Sequence, residues 1–247
     1  MLNPIIHLFT THFMKNLILA STSTLYGEDY LKYLLPTLNT HFKHVERLLF
    51  IPYARPGGLS HDLYTERVQE VFNELDIQVS GLHEFDDPAT AIKEAQGIFT
   101  GGGNTFLLVN EIYKRQLMPV LRTALFNGTP YLGTSAGSNI CGITMQTTND
   151  MPIVYPPSFK TLGAVPFNIN AHCLDPDADG THMGETRETR IKEYHKFNTP
   201  PVVGLREGSW LKVAGKIITV NGTNEARIFT QNAKPYEIPS GGEIIFS

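Results

Sequence analysis

Residues 131–137 read YLGTSAG, a short apolar run that leads into a turn of small residues. The last five match G-x-S-x-G, the pattern of a serine on a sharp turn between a strand and a helix. Such a turn presents the serine hydroxyl at the carboxyl edge of a parallel sheet, and its tight backbone requires small neighbours. The stretch therefore predicts an α/β fold with Ser135 as a candidate nucleophile. The pattern leaves a phosphate-binding turn open as the alternative.

Short apolar runs alternate with amphipathic stretches on the amino-terminal side of this turn. The predicted strands are residues 15–20, 47–52, 77–82, 98–100 and 131–133, and the predicted helices are residues 29–42, 60–75, 88–95, 105–113 and 117–126. Helices that connect successive strands imply right-handed crossovers and a parallel sheet covered on both faces. We therefore predict an α/β fold of three layers.

The rhythm changes beyond about residue 202. Short β-like runs separated by Gly and Asn turns follow one another there, at residues 210–213, 216–220, 227–229 and 243–246. Closely spaced strands without intervening helices are typical of antiparallel pairing. We therefore expect an antiparallel C-terminal extension of the mostly parallel sheet.

The chain of 247 residues, 41% of them hydrophobic, has the length and composition of a folded α/β domain. We assign residues 14–247 to a single domain, because no linker, repeat or low-complexity tract divides them. Residues 1–13 form an N-terminal extension without the basic and long apolar segments of a signal peptide. Cys141 and Cys173 lack C-x-x-C spacing, so we expect no disulfide framework and a reducing, cytoplasmic location.

The composition argues against several classes of partner. Twenty Lys and Arg residues stand against 24 Asp and Glu residues, a net charge of −4, so we expect no nucleic-acid partner. The apolar runs have strand length, so we expect no membrane partner.

Residues 175–180 read DPDADG, like the start of a calcium loop, but the twelfth position is Thr186 instead of glutamate. We predict no metal and no other cofactor. A homodimer is compatible with the sequence, which does not determine the oligomeric state.

A second turn of small residues, GGGN at 101–104, also follows an apolar run and opens a predicted helix. In a parallel sheet both turns lie at the carboxyl edge, where ligands bind. The backbone N–H of Ala136 and that of Gly103 are therefore candidate donors to an oxyanion, since glycine allows close approach. A phosphate cradle is again the alternative, although the turn matches neither G-x-G-x-x-G nor a P-loop.

A serine nucleophile needs a base, and His172 is the candidate among the nine histidines. It follows the strand-like run 165–171, and imidazole takes and returns a proton near neutral pH. Glu207 follows the apolar run 202–205 and could orient the imidazole. A structural histidine and a surface glutamate are the alternatives. Arg187 and Arg190 lie three residues apart in a predicted helix, and an arginine fork suits a carboxylate substrate.

Six segments in order resemble the peptidase E family, the α-aspartyl dipeptidases. They are residues 101–106, 133–139, 147–153, 170–172, 184–188 and 204–208. Several motifs in the right order are more specific than any one of them. The chain departs from the family at Ala171, where proline is frequent, and at Cys173, where an aromatic residue is frequent. The loss of proline removes backbone stiffness beside the candidate base.

The resemblance implies a class I glutamine amidotransferase-like fold and hydrolysis of dipeptides that begin with aspartate. It places the Ser-His-Glu triad at Ser135, His172 and Glu207, with the oxyanion hole at the amides of Gly103 and Ala136. The reaction would pass through an aspartyl-enzyme intermediate.

The same resemblance assigns substrate binding to Arg187, which would hold the aspartyl side chain, and to Asn104. The partner is then a small peptide with an N-terminal aspartate. Two alternatives remain open at this point: a cyanophycinase-like serine hydrolase of β-aspartyl-arginine peptides, and a non-catalytic binding protein of the same fold. A glutamine amidotransferase needs cysteine where this chain has Ser135.

Overall fold

A computed structural model describes residues 14–175 and 184–246. The strands are β1 Asn16–Ala20, β2 Arg47–Ile51, β3 Gln78–Gly81, β4 Gly97–Thr100, β5 Tyr131–Thr134, β6 Asn168–Ala171, β7 Val202–Leu205, β8 Ser209–Ala214, β9 Ile217–Gly222, β10 Ala226–Phe229 and β11 Tyr236–Ile238. The α-helices are α1 Leu35–His41, α2 His61–Phe72, α3 Pro88–Glu94, α4 Thr105–Lys114, α5 Met118–Phe126, α6 Ala136–Asn139 and α7 Arg187–Tyr194. Among the described residues, no helix has the length and apolar composition needed to cross a membrane.

The larger sheet has seven strands in the order β3-β2-β4-β5-β1-β8-β9. Its first five strands are parallel, and β8 and β9 add to the β1 edge in antiparallel orientation. Gly133 of β5 is level with Leu19 of β1 and with Thr100 of β4. The turns after these three strands therefore meet at one edge of the sheet, and the predicted α/β class with its antiparallel extension is confirmed.

A second sheet of four strands, in the order β11-β10-β7-β6, lies beside the first. Its β6 and β7 are parallel, with Ala171 level with Leu205. The residues that follow these two strands, including His172 and Glu207, are thereby neighbours. A separate sheet could not be predicted from the sequence, because local patterns do not indicate which strands pair.

Two details of the C-terminal prediction are wrong. The predicted strand at 243–246 forms only an isolated bridge, between Glu243 and Thr219, and this segment follows a turn at Gly241, which has φ 86°. The structure instead has strand β11 at Tyr236–Ile238, paired with β10. Its residues Tyr-Glu-Ile alternate, but a run of three between Pro235 and Pro239 is too short to predict a strand.

The central parallel strands β1, β2, β4 and β5 are buried on both faces, as crossover helices require, whereas β8 and β9 expose alternate residues. Alternate residues of β1 face opposite clusters: Leu17 and Leu19 pack in the cluster with α4 and α5, whereas Ile18 and Ala20 pack in the cluster with α1 and α2. This explains why the strands read as continuous apolar runs in the sequence.

The turn after β5 depends on backbone contacts that only glycine permits. A Cβ atom on Gly133 would lie 2.5 Å from the carbonyl oxygen of Gly137, and a Cβ on Gly137 would lie 2.1 Å from that of Thr100. The hydroxyl of Ser138 is 2.7 Å from the carbonyl oxygen of Ala20 and 2.8 Å from that of Gly133. Strands β1, β4 and β5 thus hold the turn from three sides.

The Gly137→Ala substitution is expected to lower the free energy of unfolding by about 2–3 kcal/mol, because the new methyl group overlaps a backbone oxygen that cannot move freely. Urea denaturation measures this change. The matched control is Gly57→Ala, where a Cβ meets nothing within 4 Å, and its effect should stay within about 0.5 kcal/mol. If Gly137→Ala and Gly57→Ala unfold at the same urea concentration, the close packing of the turn is contradicted.

Candidate active site

Ser135 stands on a strained turn between β5 and α6. Its backbone has φ 51° and ψ −108°, a left-handed conformation that costs about 1–3 kcal/mol in a non-glycine residue. Its N–H donates to the carbonyl of Ala20 at 3.0 Å, and its carbonyl accepts from the N–H groups of Ser138 and Asn139 at 3.0 and 2.9 Å. These bonds hold the strained backbone and leave the side chain half-buried at the sheet edge.

Three side chains form one hydrogen-bonded chain at this edge. The distance from Ser135 Oγ to His172 Nε2 is 3.1 Å, and that from His172 Nδ1 to Glu207 Oε1 is 2.9 Å. Because a carboxylate only accepts, Nδ1 carries the hydrogen and Nε2 is left to accept from the serine hydroxyl. The structure therefore brings together the three predicted residues, although they are distant in sequence.

The backbone of His172 is also strained, with φ 53°, and polar side chains hold it. Its N–H donates to Ser21 Oγ at 2.9 Å, and the Ser21 hydroxyl donates to the carbonyl of Leu205 at 2.8 Å. The Asn149 side-chain amide donates to the carbonyl of Ala171 at 2.7 Å. These contacts supply the rigidity that a proline before the histidine would otherwise provide.

Ser21 and Asn149 did not emerge from the sequence analysis as functional residues. Ser21 directly follows β1 and therefore lies at the same carboxyl edge as Ser135, which is a signal that the topology alone contained. Asn149 lies within the 147–153 segment that carried the family resemblance. Neither residue type stands out among many serines and asparagines without tertiary contacts.

The backbone N–H groups of Gly103 and Ala136 are available beside the serine. Among the described residues, no acceptor takes a hydrogen bond from either group. Gly103 has φ 145°, and a Cβ there would lie 2.3 Å from the carbonyl oxygen of Ala54. A Cβ on Gly102 would lie 3.2 Å from Ser135 Cβ. The glycine turn and the serine turn are therefore in direct contact, and two uncommitted donors lie where they meet.

The predicted substrate-binding residue Asn104 has both side-chain groups engaged within the protein. It is the N-cap of α4, and its Oδ1 accepts from the N–H of Leu107 at 3.0 Å. Its Nδ2 donates to the carbonyl of Met151 at 2.8 Å. Asn104 therefore lies beside Gly103 with its side chain occupied in holding α4 and the following loop.

A polar network behind the two turns was not predicted from the sequence. Asp150 Oδ2 accepts from the N–H of Thr105 at 2.7 Å and from the Thr148 hydroxyl at 2.9 Å. Asn139 Nδ2 donates to Thr105 Oγ1 at 3.1 Å, and Asn139 Oδ1 accepts from the N–H of Ala171 at 3.3 Å. The network connects the start of α4 with the end of β6, and thus the glycine turn with the histidine.

Arg187 is the first residue of α7, directly after the N-cap Thr186. The side chain is half-buried, and its Nε is buried with no hydrogen-bond partner among the described residues. Burial lowers the pKa of Arg187, and the neighbouring charge of Arg190 adds to the effect. The guanidinium therefore retains capacity for an anion, and no described contact joins it to Ser135.

A network of ion pairs borders the site. Arg206 donates to both oxygens of Asp175 at 2.7 Å and to both oxygens of Glu237 at 2.9 and 3.0 Å. Arg227 donates to Glu188 of α7 at 2.6 Å and to Asp175 at 3.4 Å. Hydrogen bonds from Arg206 are the main cause that lowers the pKa of Asp175. The network ties α7 to strands β7, β10 and β11.

Asp175 is also the first residue of the calcium-like segment DPDADG. Its carboxylate is paired with arginines, whereas the rest of that segment lies outside the described residues. Within residues 14–175 and 184–246, no group of three or more His, Cys, Asp and Glu side chains could hold a metal ion.

Comparison with known proteins identifies the family. The profile of peptidase family S51 matches residues 17–221. Peptidase E of Streptomyces coelicolor is 46% identical over 229 residues, which cover 93% of each chain. A Drosophila melanogaster protein named "Probable alpha-aspartyl dipeptidase" is 41% identical over 235 residues, 94% of this chain and 97% of that protein. The crystal structure of a peptidase from an acI-B1 Actinobacterium has a similar fold, with a TM-score of 0.70 at 16% identity over 95% of this chain and 98% of that one. The resemblance to peptidase E that the motifs indicated is confirmed, and this chain belongs to peptidase family S51.

Proposed function

We propose that this protein is a serine dipeptidase that hydrolyses Asp-X dipeptides with an N-terminal aspartate. The observation that carries the proposal is the hydrogen-bonded chain of Ser135, His172 and Glu207 beside the N–H groups of Gly103 and Ala136, which have no acceptor among the described residues. Membership of a peptidase family supports the reaction, and the names of the relatives support the aspartyl substrate.

The first half of the reaction forms an acyl-enzyme. Ser135 Oγ attacks the carbonyl carbon of the aspartyl residue, and His172 Nε2 takes the hydroxyl proton. Glu207 keeps Nδ1 protonated and stabilises the imidazolium that forms. The amides of Gly103 and Ala136 donate to the oxyanion, each worth about 3–4 kcal/mol of transition-state stabilisation. The imidazolium then protonates the leaving amine, and the peptide bond breaks.

The second half of the reaction releases aspartate. Water attacks the aspartyl ester, and His172 takes its proton as general base. The same two amides stabilise the second oxyanion, and the collapse of this intermediate returns the proton to Ser135. The left-handed backbone of Ser135 keeps the hydroxyl at the same position through both halves, so the oxyanion donors serve twice.

Arg187 is proposed to pair with the side-chain carboxylate of the aspartyl residue. Its buried Nε has no partner among the described residues, so a planar carboxylate would satisfy it with two parallel hydrogen bonds. Asparagine has the same shape but no charge, and binding it would leave a partly buried cation without a counter-ion.

The enzyme is proposed to have a single domain and to work in the cytoplasm. We place residues 14–247 in one domain and the protein in the cytoplasm, where the two cysteines, both unpaired and buried, would stay reduced. Asn104 stays a predicted substrate-binding residue through its position beside Gly103.

The Ser135→Ala variant is expected to lose at least about 10³-fold in kcat for Asp-Leu, because the nucleophile is absent while the fold is kept. The rate of leucine release from Asp-Leu measures this loss of activity. The control is Ser80→Ala, a serine on the edge strand β3, which should keep the activity of the parent. Full turnover by Ser135→Ala would refute the acyl-enzyme mechanism.

The Arg187→Met variant is expected to lose most of the preference for Asp-Leu over Asn-Leu, about 10- to 100-fold in relative kcat/KM, since a hydrogen-bonded charge pair contributes about 1.5–3 kcal/mol. Arg190→Met is the matched control, because Arg190 is in the same helix and its side chain is 60% exposed. If Arg187→Met discriminates as well as the parent, Arg187 does not bind the aspartyl side chain.

The cyanophycinase-like alternative predicts a different substrate. We expect kcat/KM for Asp-Leu to exceed that for β-Asp-Arg by at least tenfold, because the α-linked peptide places its carbonyl one carbon closer to the amino terminus. A direct comparison of the two peptides at equal concentration tests this. Preference for β-Asp-Arg would favour the cyanophycinase-like reaction, and failure to cleave either would favour a binding protein.

A further inference from the structure

A second arginine lies at the active-site edge of the sheet. Arg55 is in the loop between β2 and α2, directly after Ala54. The carbonyl of Ala54 accepts from the N–H of Asn104 at 2.7 Å, and it is also the atom that a Cβ on Gly103 would strike. The residue before Arg55 therefore touches the turn that carries one of the two proposed oxyanion donors.

An aromatic side chain connects Arg55 to the same turn. The Arg55 guanidinium lies over the ring of the buried Tyr64, 5.1 Å from its centroid. The Tyr64 hydroxyl donates to the carbonyl of Gly102 at 3.2 Å. A cation stacked on an aromatic ring keeps a defined position. Tyr64 therefore connects Arg55 to Gly102, through its ring on one side and its hydroxyl on the other.

Arg55 has unused binding capacity. Its Nε is buried without a hydrogen-bond partner in the described part of the chain, and no Asp or Glu of those residues forms an ion pair with it. Arg227 also has a buried Nε without a partner among the described residues, but it and Arg206 are both paired with carboxylates, which Arg55 is not. A half-buried cation without a counter-ion is costly unless an anion from outside the protein completes it.

The anion that fits follows from the substrate. An Asp-X dipeptide carries two carboxylates, one on the aspartyl side chain and one at the C-terminus of the leaving residue. The second lies only two backbone bonds, N–Cα and Cα–C of the leaving residue, beyond the scissile nitrogen. An arginine whose loop packs against the oxyanion turn is therefore a candidate partner for this carboxylate.

We infer that Arg55 binds the free α-carboxylate of the leaving residue, and this inference rests on the dipeptidase function proposed above. The guanidinium fork matches a carboxylate with two parallel hydrogen bonds. A longer peptide has an uncharged amide at this position and leaves the arginine unpaired. Arg55 is thus a specificity-determining residue that selects dipeptides, as Arg187 is proposed to select aspartate.

The test compares Asp-Leu with its C-terminal amide, Asp-Leu-NH2, which keeps the aspartate and the scissile bond and lacks only the terminal charge. The parent is expected to prefer Asp-Leu by roughly 10- to 100-fold in kcat/KM. Arg55→Met should lower kcat/KM for Asp-Leu by that factor, mainly through KM, and leave the value for the amide unchanged.

The matched control is Arg67→Met. Arg67 also stacks on a tyrosine, 4.6 Å from the ring centroid of Tyr30, but it is on the exposed face of α2. It should keep the preference of the parent. If the parent and Arg55→Met prefer Asp-Leu over Asp-Leu-NH2 by the same factor, the inference about Arg55 is overturned while the dipeptidase function stands. If the parent cleaves neither peptide, the dipeptidase function fails and the inference fails with it. If Arg55→Met and Arg67→Met lower kcat/KM for Asp-Leu equally, the effect is a general one of positive charge, and this result also overturns the inference.

Discussion

The close approach of three strand ends around Ser135 is the constraint on which the site depends. Gly133 and Gly137 have no room for a side chain, because each faces a backbone carbonyl. The left-handed conformation of Ser135 persists since the carbonyl of Ala20 and the following helical turn bind its backbone. Strain of this kind survives only where the surrounding structure holds it. The hydroxyl is therefore positioned by packing and not by its own preference.

The two sheets share one hydrophobic cluster, and Ser21 links them by hydrogen bonds at the edge where the site lies. Ser21 follows β1 of the larger sheet; its hydroxyl accepts from the N–H of His172 and donates to the carbonyl of Leu205 in the smaller sheet. The parallel pairing of β6 with β7 then places Glu207 beside His172. One sheet positions Ser135, the proposed nucleophile, and the other positions His172 and Glu207, the proposed base and its carboxylate. The ion pairs of Arg206 and Arg227 extend this arrangement to α7, the helix that begins with Arg187.

Arginines at this edge differ in what they contact, and that difference distinguishes Arg206 from the two arginines that are proposed to bind substrate. Arg206 is enclosed by carboxylates of the protein, so its charge stabilises the fold around Asp175 and Glu237. Arg187 and Arg55 each have a buried Nε without a partner among the described residues. The net charge of −4 therefore says little about the site, because recognition of an anion depends on a few unpaired groups and not on the total.

Local patterns determined the fold class, the serine turn and the glycine turn, because apolar runs and tight glycine contacts leave direct marks on neighbouring residues. Their positions after apolar runs made His172 and Glu207 candidates, and the family resemblance assigned roles to them and to Arg187. Tertiary structure alone decided that β6, β7, β10 and β11 form a separate sheet, that Ser21 joins the sheets, and that Arg55 stacks on Tyr64. These features depend on contacts between residues far apart in the chain, and no local pattern records such contacts.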